Sequence, residues 1–144
     1  MRMLLKSAFA VAALGLSALA TGCASTTTID SGDQEAMARF EDFQSGKAKL
    51  VAGQMGSWGA NSANARALFD KAKWRELADL VQRTGPDKDL TWYYLGSAAK
   101  GLGFDNVARV YFERSIEEEK STRPGHRCNA VFDLCDGFVF PAAA

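Results

Sequence analysis

His126, the single histidine of the 144-residue chain, stands two residues before Cys128, and Asp133, Cys135 and Asp136 follow within ten positions. Imidazole, thiolate and carboxylate together can ligate a metal. Two thiols can also close a disulfide or run thiol–disulfide exchange. Spacing weighs among these. Structural zinc sites usually take closely spaced CxxC-type pairs, and exchange-active dithiols favour CxxC at a helix start. The segment CNAVFDLC fits neither pattern. An even cysteine pair in an exported chain reads as a structural disulfide. Closing so short a loop contributes only about 2.5 kcal/mol in the chain-entropy account. A metal or ligand site built on His126, Cys128 and Cys135 is the alternative, and the disulfide would take both of its sulfurs.

Other chemistry is sparse. No serine elbow is present, and the lone histidine has no evident nucleophile to serve. Scattered Asp and Glu residues do not by themselves define an acid–base pair. Gly101-Leu102-Gly103 follows no apolar strand and lacks a third glycine, so it reads as a helix–helix turn and not as a phosphate cradle. The expectation is a protein that is not an enzyme and carries no cofactor and no resident metal.

The N-terminus has three zones: Arg2 and Lys6, an almost wholly apolar or small stretch from Ser7 to Ala20, and Ala20-Thr21-Gly22 before Cys23. A positive head, a short apolar run and small residues describe an export signal. The run falls short of the roughly 20 residues a membrane-spanning helix needs. Leu19-Ala20-Thr21-Gly22-Cys23 resembles the lipobox of bacterial lipoproteins, although Ala20 stands where a larger aliphatic residue is usual. The resemblance implies cleavage after residue 22, lipid on Cys23 and a stable membrane anchor, since each buried CH₂ of an acyl chain contributes about 0.8 kcal/mol. Ala24 and Ser25 after the cysteine imply the outer membrane in a Gram-negative host, with the domain in the periplasm. Plain secretion, with Cys23 incidental, is the alternative. The signal holds two of the 17 basic residues and none of the 17 acidic ones, so the remaining chain is slightly acidic. Without a basic excess, nucleic acid is excluded as a partner.

The elements follow from periodicity. Residues 23–33 read as a flexible tether, 34–120 as a helical domain and 121–144 as a C-terminal loop and tail. Ala36, Met37, Phe40 and Phe43 mark a helix starting near Gln34 and ending at Ser45-Gly46. The glycine-bearing stretch from Lys47 to Asn61 reads as a short helix over Ala48–Ala52 and then a loop. Ala63, Ala67, Leu68 and Ala72 predict a helix capped by Asn61 or Ser62. Trp74, Leu77, Ala78 and Val81 predict the next, stopped by Gly85-Pro86. A third helix runs Leu90–Lys100 behind Asp87 or Asp89, and a fourth starts behind the cap Asp105. The acidic run Glu117-Glu118-Glu119 reads as a solvated helix end. In the tail, Phe138, Val139 and Phe140 either pack back onto the last helix or add as a strand to a partner's sheet.

Shifting the chain by thirty residues lays Trp74 on Phe104, Ala78 on Ala108 and Val81 on Tyr111. Each unit is a helical hairpin that must stack on a neighbour to bury its apolar face. The second unit, with Trp92, Leu95 and Gly96 in its first helix and Ala108, Phe112 and Ser115 in its second, resembles a tetratricopeptide repeat. The first unit matches less fully, with Trp74, Leu77 and Ala78 but no Leu-Gly pair. The fold class expected is all-α, a short stack of helical hairpins with a disulfide-closed C-terminal loop. The resemblance implies a scaffold that binds envelope proteins in a groove lined by Tyr93, Ser97 and Lys100, and one unit earlier by Ala67 and Asp70. Tyr93, which joins large contact area to a hydrogen-bonding hydroxyl, is the leading anchor.

Overall fold

A computed structural model describes residues 31–51, 55–123, 126–128, 135, 138 and 140. The protein is all-α. Among the described residues five helices follow in order: α1 (Ser31–Gln44), α2 (Met55–Asp70), α3 (Trp74–Thr84), α4 (Asp89–Gly101) and α5 (Asp105–Glu119). Each of α2 to α4 packs against the helix that follows it, and α1 lies across α3 and α4. The expected signal segment and Cys23 fall outside the described residues, and no described helix is long and apolar enough to cross a membrane.

The two turns inside the hairpins are built alike. After α2, Lys73 N–H donates to Leu68 C=O and Ala72 N–H to Phe69 C=O, with Ala72 left-handed at φ 53°. After α4, Phe104 N–H donates to Ala99 C=O and Gly103 N–H to Lys100 C=O, with Gly103 at φ 82°. Both are Schellman endings, which satisfy the last helical carbonyls through one left-handed residue. The Gly101-Leu102-Gly103 segment is therefore the helix–helix turn expected from its sequence. This geometry also corrects one cap: Asp105 is the first residue of α5, and Phe104 holds the N-cap position because the preceding turn uses it.

Helix α2 departs most from the pattern. It begins at Met55, so Asn61 and Ser62 lie inside it and are not caps. Its buried positions are Trp58, Ser62 and Ala65, spaced by four and three. Mostly small or polar, these residues leave little apolar periodicity to read. The Asn61 amide donates to Ser57 C=O at 2.6 Å, bonding back along the helix as such side chains do. No helix forms across Lys47–Leu50. There the chain is extended enough for Val51 to bridge Pro86, with Val51 N–H donating to Gly85 C=O at 3.0 Å. Helix α1 starts at Ser31, so the last residues assigned to the tether are helical.

Glycine 96 sets the α4–α5 distance. A Cβ placed there would lie 2.6 Å from the Phe112 ring, so only hydrogen allows the ring to cross α4 so closely. On the opposite side, Phe43 of α1 stacks on Tyr111 of α5 at 5.7 Å, and Tyr111 stacks on Trp92 of α4 at 5.8 Å. The Tyr111 hydroxyl donates to Phe43 C=O at 2.8 Å and accepts from Ala48 N–H at 3.3 Å. Both backbone groups belong to the end of α1 and the turn after it, so one phenol ties that end to the stack. Burial pushes this phenol's pKa up to about 12, with the nearby Asp42 charge adding and the Ala48 hydrogen bond opposing. Arg39 pairs with Asp79 at 3.1 Å and secures α1 to α3 farther along.

Candidate functional site

The start of α4 is where the C-terminal loop is fastened. Pro86 and the Thr91 side chain organise the entry: Lys88 N–H donates to the Thr91 hydroxyl, which lies 2.8 Å from Lys88 C=O. Lys88 and Asp89 are both buried, each 2% exposed. Buried charges persist only where hydrogen bonds and opposite charges compensate them. The Asp89 carboxylate accepts from Leu90 N–H at 2.6 Å and from Cys128 N–H at 2.7 Å. Its backbone N–H donates to His126 C=O, and its carbonyl accepts from the Ser115 hydroxyl of α5. Desolvation raises its pKa, while the two backbone N–H groups and Lys88 pull the other way. Asp89 is the first residue of α4, with Lys88 and not Asp87 or Asp89 at the N-cap position, and it pins residues 126–128 between α4 and α5.

Cys128 and Cys135 lie at disulfide distance, with Cα atoms 5.6 Å apart, as expected of the pair left when Cys23 is set aside. The Asp89 Oδ1 lies 3.3 Å from Cys128 Sγ, and Lys88 Nζ lies 3.9 Å from Cys135 Sγ. Glu118 corrects the reading of the acidic run as solvated. It is buried and takes two bonds from the Arg123 guanidinium, at 2.6 and 2.8 Å, and one contact from His126 Nδ1 at 2.8 Å. The Arg123 guanidinium also offsets the unfavourable placing of a carboxylate at a helix C-terminus. Glu117 and Glu119 remain exposed.

His126 is therefore not grouped with the cysteines. Two sets of ligand-type atoms within 4.8 Å occur among the described residues: Asp89 with Cys128 and Cys135, and Asp87 with Glu118 and His126. In the first, the disulfide leaves no thiolate. In the second, Glu118 is engaged by Arg123, and Asp87 accepts from the Trp92 indole N–H at 2.7 Å. Hydrogen bonds within the protein account for both. Asp133 and Asp136 lie outside the described residues.

The other assembled feature is aromatic. Phe69 of α2 and Tyr93 and Tyr94 of α4 face one another across the two first helices of the hairpins, with Phe69–Tyr94 centroids 5.3 Å apart. Phe138 lies on all three, at 5.6, 5.4 and 5.5 Å. Phe140 rests on Tyr93 at 5.2 Å, edge to face. Arg66 of α2 places its guanidinium 5.1 Å from the Phe138 ring centre, a cation–π contact. Trp58 joins through Tyr94 at 6.4 Å, and its indole N–H is buried without a hydrogen-bond acceptor. Phe138 and Phe140 pack back, but onto the first helices of the hairpins where the sequence suggested the last helix.

Of the groove residues expected from sequence, Tyr93 is half-buried beneath Phe138 and Phe140, and Ser97 lies half-buried one turn along α4. Lys100 is exposed. Ala67 is half-buried on α2, and exposed Asp70 pairs with Arg66 at 3.1 Å. Sequence reasoning missed Phe69, Arg66, Lys88, Asp89 as an anchor and Glu118. Phe69 follows the α2 face set by Trp58, Ser62 and Ala65, a signal visible once the helix is extended. The burial of Lys88 and Glu118 has no local signal, because distant loop residues create it. No protein-family model, curated protein or solved structure matches the chain.

Proposed function

We propose that this chain is a lipid-anchored envelope protein, modified on Cys23, whose tetratricopeptide-like helices form a protein-binding scaffold or accessory subunit of an envelope assembly or export machine. The observation that carries the binding role is the aromatic face of α2 and α4, on which Phe138 and Phe140 of the same chain are seated. Aromatic rings supply large contact area with few rotors, the composition typical of binding hot spots. The exposed Lys100 and the Asp70–Arg66 pair border the same two helices and supply polar recognition around an apolar centre. The export signal and lipobox support the location, with the outer membrane as anchor and the periplasm as working compartment.

The test is a cross-linked pull-down of the tagged full chain from detergent-solubilised envelopes, beside a Tyr93→Ala/Lys100→Glu variant. A discrete set of envelope proteins, lost with the variant while far-UV circular dichroism stays helical, is the expected result. No captured protein, or the same set with both chains, refutes the scaffold.

A further inference from the structure

The face of α2 and α4 is occupied by a segment whose own chemistry defines what the face accepts. Phe138 and Phe140 are both half-buried, and among the described residues they meet the helices ring against ring, with the Arg66 guanidinium over Phe138. The hydrogen bond of Phe138 N–H runs to Cys135 C=O, within the segment itself at 2.8 Å. The contrast with Tyr111 is informative: there a core ring is locked to backbone groups of another element, whereas here the rings rest on a surface. Half-exposed side-chain contacts of this kind open at lower cost than the helices beneath them. The attachment point is firm, because Cys135 is buried and Cys128 is bound to Asp89. The arrangement is a ligand on a short tether.

We propose that the Phe69–Tyr93–Tyr94 face is a docking groove for a partner segment carrying two aromatic side chains at alternate positions, and that Phe138 and Phe140 fill it in cis until such a segment displaces them. This rests on the scaffold reading and specifies its ligand. Arg66 contributes to selection by favouring an aromatic ring over an aliphatic side chain at the Phe138 position. A short tether gives the cis segment an effective concentration on the order of millimolar. A free segment with a Kd of about 100 µM is then excluded from the native chain roughly tenfold. Partners must bring either higher affinity or several copies of the motif.

The experiment uses the full chain and a fluorescein-labelled peptide of residues 136–144, DGFVFPAAA, read by anisotropy. The Phe138→Ala/Phe140→Ala chain binds the peptide saturably, and the native chain binds it about tenfold or more weakly. A peptide with alanine at both aromatic positions does not bind. Should the doubly substituted chain lose its helical circular dichroism, the Cys128→Ser/Cys135→Ser chain replaces it. Its lengthened tether admits the labelled peptide more readily than the native chain does. No saturable binding to a folded vacated chain, or equal binding to vacated and native chains, overturns the proposal. Sedimentation showing a native dimer that the phenylalanine substitutions dissolve also overturns it, because the occupant is then a second copy. Peptide binding without any envelope protein in the pull-down would leave the groove standing and remove the scaffold role alone; the converse would remove only the aromatic-segment assignment.

Discussion

Tyr111→Phe removes one oxygen and tests whether the end of α1 is tied to the stack as described. The ring itself stays: stacking on Phe43 and Trp92 is unaffected by the missing hydroxyl, and the side chain is 1% exposed, so no solvent replaces it. What is lost is the donor to Phe43 C=O and the acceptor from Ala48 N–H. An unsatisfied buried polar group costs about 1–3 kcal/mol. Phe43 C=O keeps its bond from Gly46 N–H at 3.2 Å, so chiefly the buried Ala48 N–H is left unsatisfied, and the expected loss is about 2 kcal/mol. For a domain of this size that corresponds to a fall in Tm of roughly 10 °C. Urea unfolding followed at 222 nm gives the free energy, and the m-value reports whether α1 has come loose. A second signature lies in alkaline solution. The folded phenol titrates near 12 against an ordinary 10.0, so above pH 10 the unfolded chain loses this proton first. The native state binds more protons there, and stability falls as pH rises between those values. Subtracting the Phe variant's profile isolates this slope from lysine titration. A variant within about 0.5 kcal/mol of native, with a parallel alkaline profile, refutes the account, since that is the range of ordinary surface changes.

Two further substitutions probe the architecture and the anchor. Gly96→Ala places a methyl 2.6 Å from the Phe112 ring; overpacking of about 1–3 kcal/mol outweighs the roughly 1 kcal/mol gain in helix propensity, and thermal melting should show a lower Tm, whereas a raised Tm contradicts the α4–α5 spacing. Asp89→Asn removes a carboxyl whose folded pKa is raised above 3.8 by burial, so the folded native chain takes up this proton before the unfolded one as pH falls. The stability difference, native minus variant, should therefore shift toward the native chain on acidification from neutrality through the window just above pH 3.8, and parallel profiles would contradict the burial of that charge.

The elements that sequence determined are those whose signals are local. The α3 stripe of Leu77, Ala78 and Val81 and its stop at Gly85-Pro86 follow from periodicity and backbone chemistry, and both are found. The Gly101-Leu102-Gly103 turn follows equally, since a left-handed residue is needed there and Gly103 supplies it. The cysteine pairing was legible because Cys128 and Cys135 are the two that remain of three cysteines once Cys23 is set aside as the expected lipid site. The all-α class came from the same patterns summed over the helices expected between Gln34 and Lys120. Tertiary structure decided the rest because the deciding partners are distant in sequence. Helix α2 reaches back to Met55 because Trp58 finds Tyr94 of α4, and no local pattern of apolar residues announces that contact. Glu118 is buried because Arg123 and His126 fold over it, turning what reads as a solvated acidic end into a fastening for the loop. The spacing of His126 and the cysteines suggested one cluster, but Asp89 and Glu118 draw them to different anchors. Tyr93 was visible as a candidate contact on α4, yet that its face is already filled by Phe138 and Phe140 depended on where Asp89 holds Cys128 and hence where the tail returns. Periodicity records which side of a helix avoids water; what covers that side is fixed only when long-range hydrogen bonds bring the remote chain to it.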